Sequence, residues 1–187
     1  MAKESDEPED IVIAIKQIVN NCSLDSDFNI DAIALFDLEY IFLQLRAISV
    51  DDTLDVSYRD TEDDKVYDFK VNLKDIKITV PTDKSNIIKI VDDIGMIMKY
   101  PSAKLYDDKE FLNAEDEHLF KLIVRCVDKI YQGDEVYDLK DYTYEQIQDF
   151  IENLSITSFT QVQEFFDNCP KLYHEIIYKN SLGNERK

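Results

Sequence analysis

Two histidines, three cysteines and three glycines are the residues whose types could do chemistry, and their spacing offers little of it. His118 and His174 have no second histidine close by, so the clustered ligand set of a zinc site is missing. His118, following Glu115, reads as a solvated residue in the first turn of a helix. Cys22, Cys126 and Cys169 are odd in number, far apart and each on the apolar face of an expected helix. That pattern predicts reduced, buried thiols, not disulfides or a redox pair. Gly95, Gly133 and Gly183 are isolated, which excludes the glycine-rich loops that cradle phosphates. The pairs Asp63-Asp64 and Asp92-Asp93 lack the alternating carboxylates and internal glycine of a calcium loop, and read as solvated turns. No strained Ser or Cys elbow is visible, so the residues point to a non-enzyme without cofactor or metal.

Recognition is the chemistry for which the chain is better supplied. Eleven Tyr and ten Phe accompany no Trp, and several tyrosines fall in acidic stretches where burial inside a monomer gains little. Tyr131, Tyr137, Tyr142 and Tyr144 lie in or beside YQGDEVYDLKDYTY. Tyrosine suits positions that are part buried and part wet, so this stretch reads as an interface or as a loop tacked down by its own rings. The 40 acids and 21 bases give a formal charge of -19, the wrong sign for a phosphate backbone or an anionic membrane. Most of the excess sits at residues 1–10, 51–68 and 134–152, in the N-terminus and expected loops.

The elements that must position these groups follow from periodicity. Ile11, Ile15, Ile18, Val19 and Cys22 make one helical stripe behind Pro8 and two acids. The span 31–48 is a helix with two apolar faces, Ile33, Phe36, Tyr40, Leu43 and Ala47 on one and Leu38, Ile41, Phe42 and Leu45 on the other. It reads as the centre of the fold or its bridge to a partner. Arg46 shares a helical line with Glu39 at a spacing of seven, too far for a direct pair, and is expected to bond another carboxylate or the end of its own helix.

From 53 to 100 the period becomes two. Strands are expected around an acidic turn at 60–65, then through Ile76, Ile78 and Val80 to Pro81, then at 87–91 and 94–100 around Asp92-Asp93. Helices are expected from an Asn113 cap to Ile130, ended by Gly133, and after the capping-box starts at Thr143 and Ser158. A strand at 172–179 and a turn at 180–184 lead into what reads as an unfinished hairpin. The fold class is α+β: a small antiparallel sheet packed with a central helix and flanking helices, and a mainly helical C-terminal half. Residues 1–187 are expected to form a single domain, with a candidate subdivision into 1–100, helix plus sheet, and 113–187, mainly helical. The longest apolar stretches are too short to span a membrane, and the acidic N-terminus is no secretory signal.

Three segments, in order and spacing, carry a resemblance. FDLEYIFLQLRAISV (36–50), DKIYQGDEVYDLKDYT (128–143) and FFDNCPKLYHEIIYKNSLGNERK (165–187) resemble the T4-type bacteriophage baseplate hub protein family. Positions that match are Asp37, Glu39, Tyr40, Leu45, Arg46 and Ser49 in the first segment and Pro170, Leu172, His174 and Gly183 in the last. The resemblance implies a hub subunit, or a factor that builds the hub, with no cofactor. It implies hub proteins and the tape-measure protein as partners, and a location in the infected bacterial cytoplasm during assembly or in the virion baseplate. It also implies a further strand beyond the Gly183 turn. Partner-binding residues are expected among Asp37, Glu39, Tyr40, Arg46, Tyr137, Tyr142, Leu172 and His174. A transient chaperone for hub or tape-measure protein is the competing reading. An acidic DNA mimic is a weaker third, because the acids lie in loops and not at regular intervals along one face.

Overall fold

The computed structural model describes residues 8–80, 86–112 and 118–187. Helix α1, Pro8–Cys22, starts at the proline, whose fixed φ suits a first helical position. Its stripe of Val12, Ile15 and Val19 packs against Leu38, Ile41, Phe42 and Leu45 of α2, Leu35–Ser49. On another side α2 meets the short turn 73–75, where Leu73 is buried, and strand β8, Lys171–Tyr173. Only Leu38 and Ala47 of this helix are fully buried, and its remaining large apolar residues up to Leu45 stay half-exposed. The helix is therefore a bridge and not a sealed centre. Its Phe36 ring meets Tyr100 edge-on at 5.4 Å, and Tyr100 stacks on Phe165 at 5.5 Å, which joins the α1–α2 cluster to the main core.

Lys16 of α1 is almost buried and holds two carboxylates, Asp31 at 2.8 Å and Asp107 at 2.6 Å. Burial alone would lower its pKa, but the bonds to Asp107 and Asp31 outweigh that and raise it. The backbone continues the tie: Leu35 N–H donates to Pro101 O and Ala103 N–H to Ile33 O.

Strands β1, Thr53–Arg59, and β2, Val66–Asn72, pair in the register Leu54–Val71, Val56–Phe69, Tyr58–Tyr67. The alternation puts these six on one face of the ribbon. Strand β3, Lys77–Thr79, pairs with β8. The main sheet is β4 (Ile87–Val91), β5 (Ile94–Met98), β6 (Val127–Gln132) and β7 (Glu135–Asp138), antiparallel and in that order. A four-residue helix α3, Lys109–Leu112, precedes α4, His118–Cys126, and α5, Tyr144–Glu152, and α6, Ile156–Asp167, follow β7. Ile88, Met96, Met98 and Val127 of the sheet join Ile123, Ile151, Val162 and Phe165 of these helices in the main core. Full burial of a side chain of this size is worth about 1.5–3 kcal/mol. Strands β9, Tyr178–Lys179, and β10, Glu185–Arg186, close the C-terminal hairpin.

The expected fold class needs correction. The described residues hold ten strands in four separate sheets, not one small sheet, and five of the ten, β6 to β10, lie in the half expected to be mainly helical. The decisive error is at 127–132. Leu119, Ile123, Cys126, Val127 and Ile130 fit a helical stripe, yet the helix stops at Cys126 and β6 begins at once. Lys99 N–H donates to Cys126 O at 2.7 Å, and Val127 pairs with Met98, so pairing with β5 overrides local periodicity. Gly133, at φ 59, is the first residue of a two-residue β6–β7 turn and not a helix cap. The expected strand over 172–179 is two short strands, β8 and β9. Cys22 is exposed, unlike the buried Cys126 and half-buried Cys169. The Asn113 cap, the acidic residues 115–117, Pro81 and residues 1–7 lie outside the described residues.

Candidate functional site

Tyr137 and Tyr142 come together. Tyr137 stands opposite Ile130 across β6–β7, so both side chains lie on one face of the sheet. The chain then makes a short turn, Leu139–Asp141, in which Asp138 accepts from Lys140 N–H and Leu139 is buried. Tyr142 follows, and Thr143 opens α5 with a reciprocal capping box to Gln146. The cap sets the direction of α5, which turns Gln146, Ile147 and Phe150 towards the sheet. The result is a cleft of about 270 Å³ lined by Ile130, Tyr137, Leu139, Tyr142, Gln146, Ile147 and Phe150. Its lining is apolar except for Gln146 and the two phenol oxygens. Tyr137 O–H donates to Glu135 at 2.5 Å, a bond that raises the phenol pKa. Tyr142 remains exposed, as does Val136 on the other face of β7.

The other expected site residues form a separate group. Asp37 and Tyr40 are half-buried on α2, and desolvation raises the Asp37 carboxyl pKa. Glu39 is exposed as a residue, yet packing around its carboxyl raises that pKa too. Leu172 is half-buried on β8, opposite Ile78 and next to α2, and His174 is exposed just beyond the strand. Arg46 contradicts expectation: it is exposed and has no side-chain acceptor among the described residues.

Sequence reasoning missed the most connected polar site. Asp60, with no exposed surface, accepts from Tyr178 O–H at 2.6 Å, from Glu62 N–H at 2.8 Å and from Arg186 at 3.2 Å. The Tyr178 bond above all holds its carboxyl below the ordinary range. Tyr178, desolvated and donating to that carboxylate, is pushed up to about 12. Asp63 accepts from Tyr67 O–H and from Ser181 N–H and O–H; these bonds overcome desolvation and depress its pKa strongly. Glu62 takes the amides of Asn180 and Asn184. Gly183, at φ 85, gives the turn its left-handed residue. The expected unfinished hairpin is thus closed and bound to the 60–65 turn, across 118 residues of sequence for Asp60 and Tyr178. No local signal marks such a pairing.

A larger hollow of about 680 Å³ is lined by Lys99, Lys104, Asp107, Asp108 and Arg125 among others. Three of its charges are already engaged: Arg125 bonds Asp108 at 2.5 Å and lies over the Tyr144 and Phe111 rings, and Asp107 bonds Lys16. It reads as a structural knot. Burial pushes the Cys126 thiol up to about 12 and Cys169 up to about 11, so neither is a ready nucleophile. Among the described residues no group of three or more His, Cys, Asp or Glu is placed to hold a metal ion, and no helix is long and apolar enough to cross a membrane.

The site thus comprises a cleft flanked by tyrosines, a helix with half-exposed apolar faces and polar groups tied up in the fold. The family model described as T4 bacteriophage base plate protein matches residues 1–187, the whole sequence. The chain belongs to the T4 bacteriophage base plate protein family. No curated protein and no solved structure gives a match. For a base plate protein the relevant partners are phage tail proteins, and the place of action is the base plate of the virion tail.

Proposed function

We propose that this base plate protein is a subunit of the central hub, retained in the finished contractile tail, which acts by binding other tail proteins and not by catalysis. The observation that carries the reading is the family match along the whole chain. The resemblance of the three ordered segments at 36–50, 128–143 and 165–187 to the hub protein family supports the narrower reading. The first supplies most of α2, the second most of the cleft-bearing hairpin and the third the closed C-terminal hairpin. Support for a binding role comes from Tyr137 and Tyr142 on the cleft and from the half-exposed faces of α2. Support for a non-catalytic role comes from ionisable groups spent on structure, as at Asp60, Asp63, Lys16 and Cys126.

On this reading the chain meets hub proteins, and the tape-measure protein, in the infected bacterial cytoplasm and stays with them. Mass spectrometry of purified tails, set against unassembled hub complexes, is the test. The chain is expected in both at a fixed ratio to other hub proteins. Presence in unassembled complexes alone would establish a transient chaperone, and absence from both would refute the reading.

A further inference from the structure

We propose that the Tyr137–Tyr142 cleft is a docking site for a basic segment of another tail protein, one that places a bulky apolar side chain between α5 and β7 and lysines or arginines against the acidic rim. This deepens the hub reading and rests on it. The cleft is apolar at its floor, where Ile130, Leu139, Ile147 and Phe150 offer no strong hydrogen-bond partner, so its occupant must be apolar at that point. Its volume of about 270 Å³ suits one large side chain or two small ones, and not an extended apolar surface.

The charge around the cleft defines the rest of the occupant. Asp134, Glu135, Asp138, Asp141, Glu145 and Asp149 all lie within sixteen residues, on the turn, on β7 and on the outer side of α5. Lys140 is the base within that stretch and is already bound to Asp138 at 2.8 Å. Lys129 stands opposite Asp138 across β6–β7 as well, and the remaining acids still leave a net negative field that repels an acidic or nucleic-acid ligand and favours a basic one. A free edge adds a means of alignment. β7 is the terminal strand of its sheet, and the pairing of Gln132 with Glu135 and of Ile130 with Tyr137 turns the N–H and C=O of Val136 and Asp138 away from β6. An extended segment can pair there while its alternate side chain enters the cleft.

The test uses the full chain and two synthetic twelve-residue peptides, one alternating Lys and Phe and one alternating Glu and Phe, with binding read by fluorescence anisotropy at low and high salt. The lysine peptide is expected to bind and to weaken as salt rises, and the glutamate peptide to bind at least about tenfold less well. Tyr142→Ala should weaken the lysine peptide about fivefold or more, as loss of an aromatic anchor does. The double change Asp141→Lys with Glu145→Lys should weaken it further and flatten the salt dependence, whereas Asp10→Lys on distant α1 should do neither. All four positions are exposed, so these variants are expected to fold. Equal binding of both peptides, or unchanged binding by the cleft variants, would overturn the proposal. Incorporation of the same variants into tails separates the two readings. Wild-type chain in tails, with cleft variants incorporated normally, removes the docking site and leaves the hub assignment. Peptide binding without any incorporation does the reverse.

Discussion

Two hairpins of this protein are built from the same materials, acids and tyrosines around a tight turn, and they end in opposite states. In the β1–β2 ribbon Asp60, Glu62 and Asp63 of the turn each accept bonds from the C-terminal hairpin. The Tyr178 ring fills the space between Tyr58, Tyr67 and Phe69, at 4.9 Å from Tyr67 and 5.1 Å from Phe69. In the β6–β7 hairpin the acids face solvent, and Tyr137 and Tyr142 flank a cleft that this chain does not fill. Composition alone does not separate the two. The difference lies in whether a second segment of the same chain supplies donors. A two-stranded ribbon needs such a cover for stability, while β6–β7 gains its stability from the four-stranded sheet behind it. Its outer surface is thereby left available to a partner.

The sharpest way to break this contrast is Asp60→Ala. The substitution leaves the Tyr178 hydroxyl and the Arg186 guanidinium without their buried acceptor. Hydrogen exchange over residues 178–186 should accelerate at least about tenfold, while exchange over β6–β7 stays unchanged. Equal acceleration in both hairpins would show that they are not independent. Thr143→Ala comes next: it removes the capping box that starts α5 and should cost about 1 kcal/mol, read by denaturant unfolding. Tyr142→Ala should be the mildest for the fold, within about 0.5 kcal/mol, because the residue lies at the surface, 41 % exposed.

The pH dependence falls on the closed hairpin. The Asp60 and Asp63 pKa values are depressed in the fold, so their contribution is present above the ordinary carboxylate pKa and is lost as the medium becomes more acid than that. Tyr178 is raised to about 12, so its contribution is complete below the ordinary phenol value near 10 and disappears as pH climbs towards 12. Tyrosine absorbance during alkaline titration, followed together with exchange over 178–186, checks the upper limit. A Tyr178 that ionises with the exposed tyrosines would contradict it.

Much of this was legible in sequence, and what was not has a physical cause. Period-two alternation marked β1, β2 and β4, because each keeps one face covered and the other towards water, while β5, covered on both faces, was marked by its apolar run beside the Asp92-Asp93 turn. Thr143 and Gln146 marked the start of α5, because a capping box is local chemistry. Tyr131, Tyr137, Tyr142 and Tyr144 stood out in sequence as rings among acids, but that Tyr137 and Tyr142 line one cleft follows only from the turn at 139–141 between them. The segment 127–132 was misread because Val127 and Ile130 satisfy a helical stripe and a strand alike, and only Met98 and Lys99 decide between them. Asp60, Tyr178 and Arg186 were invisible as a site because the bonds that define it join segments 118 residues apart in the chain.

Hydrogen exchange of the protein within purified tails, compared with the free chain, tests most directly the claim that one hairpin is closed within the molecule and the other is open to a partner. Assembly should slow exchange across residues 130–150 and leave 178–186 as it was, since that hairpin is already covered by its own chain. Added protection at 178–186 with none at 130–150 would contradict the account.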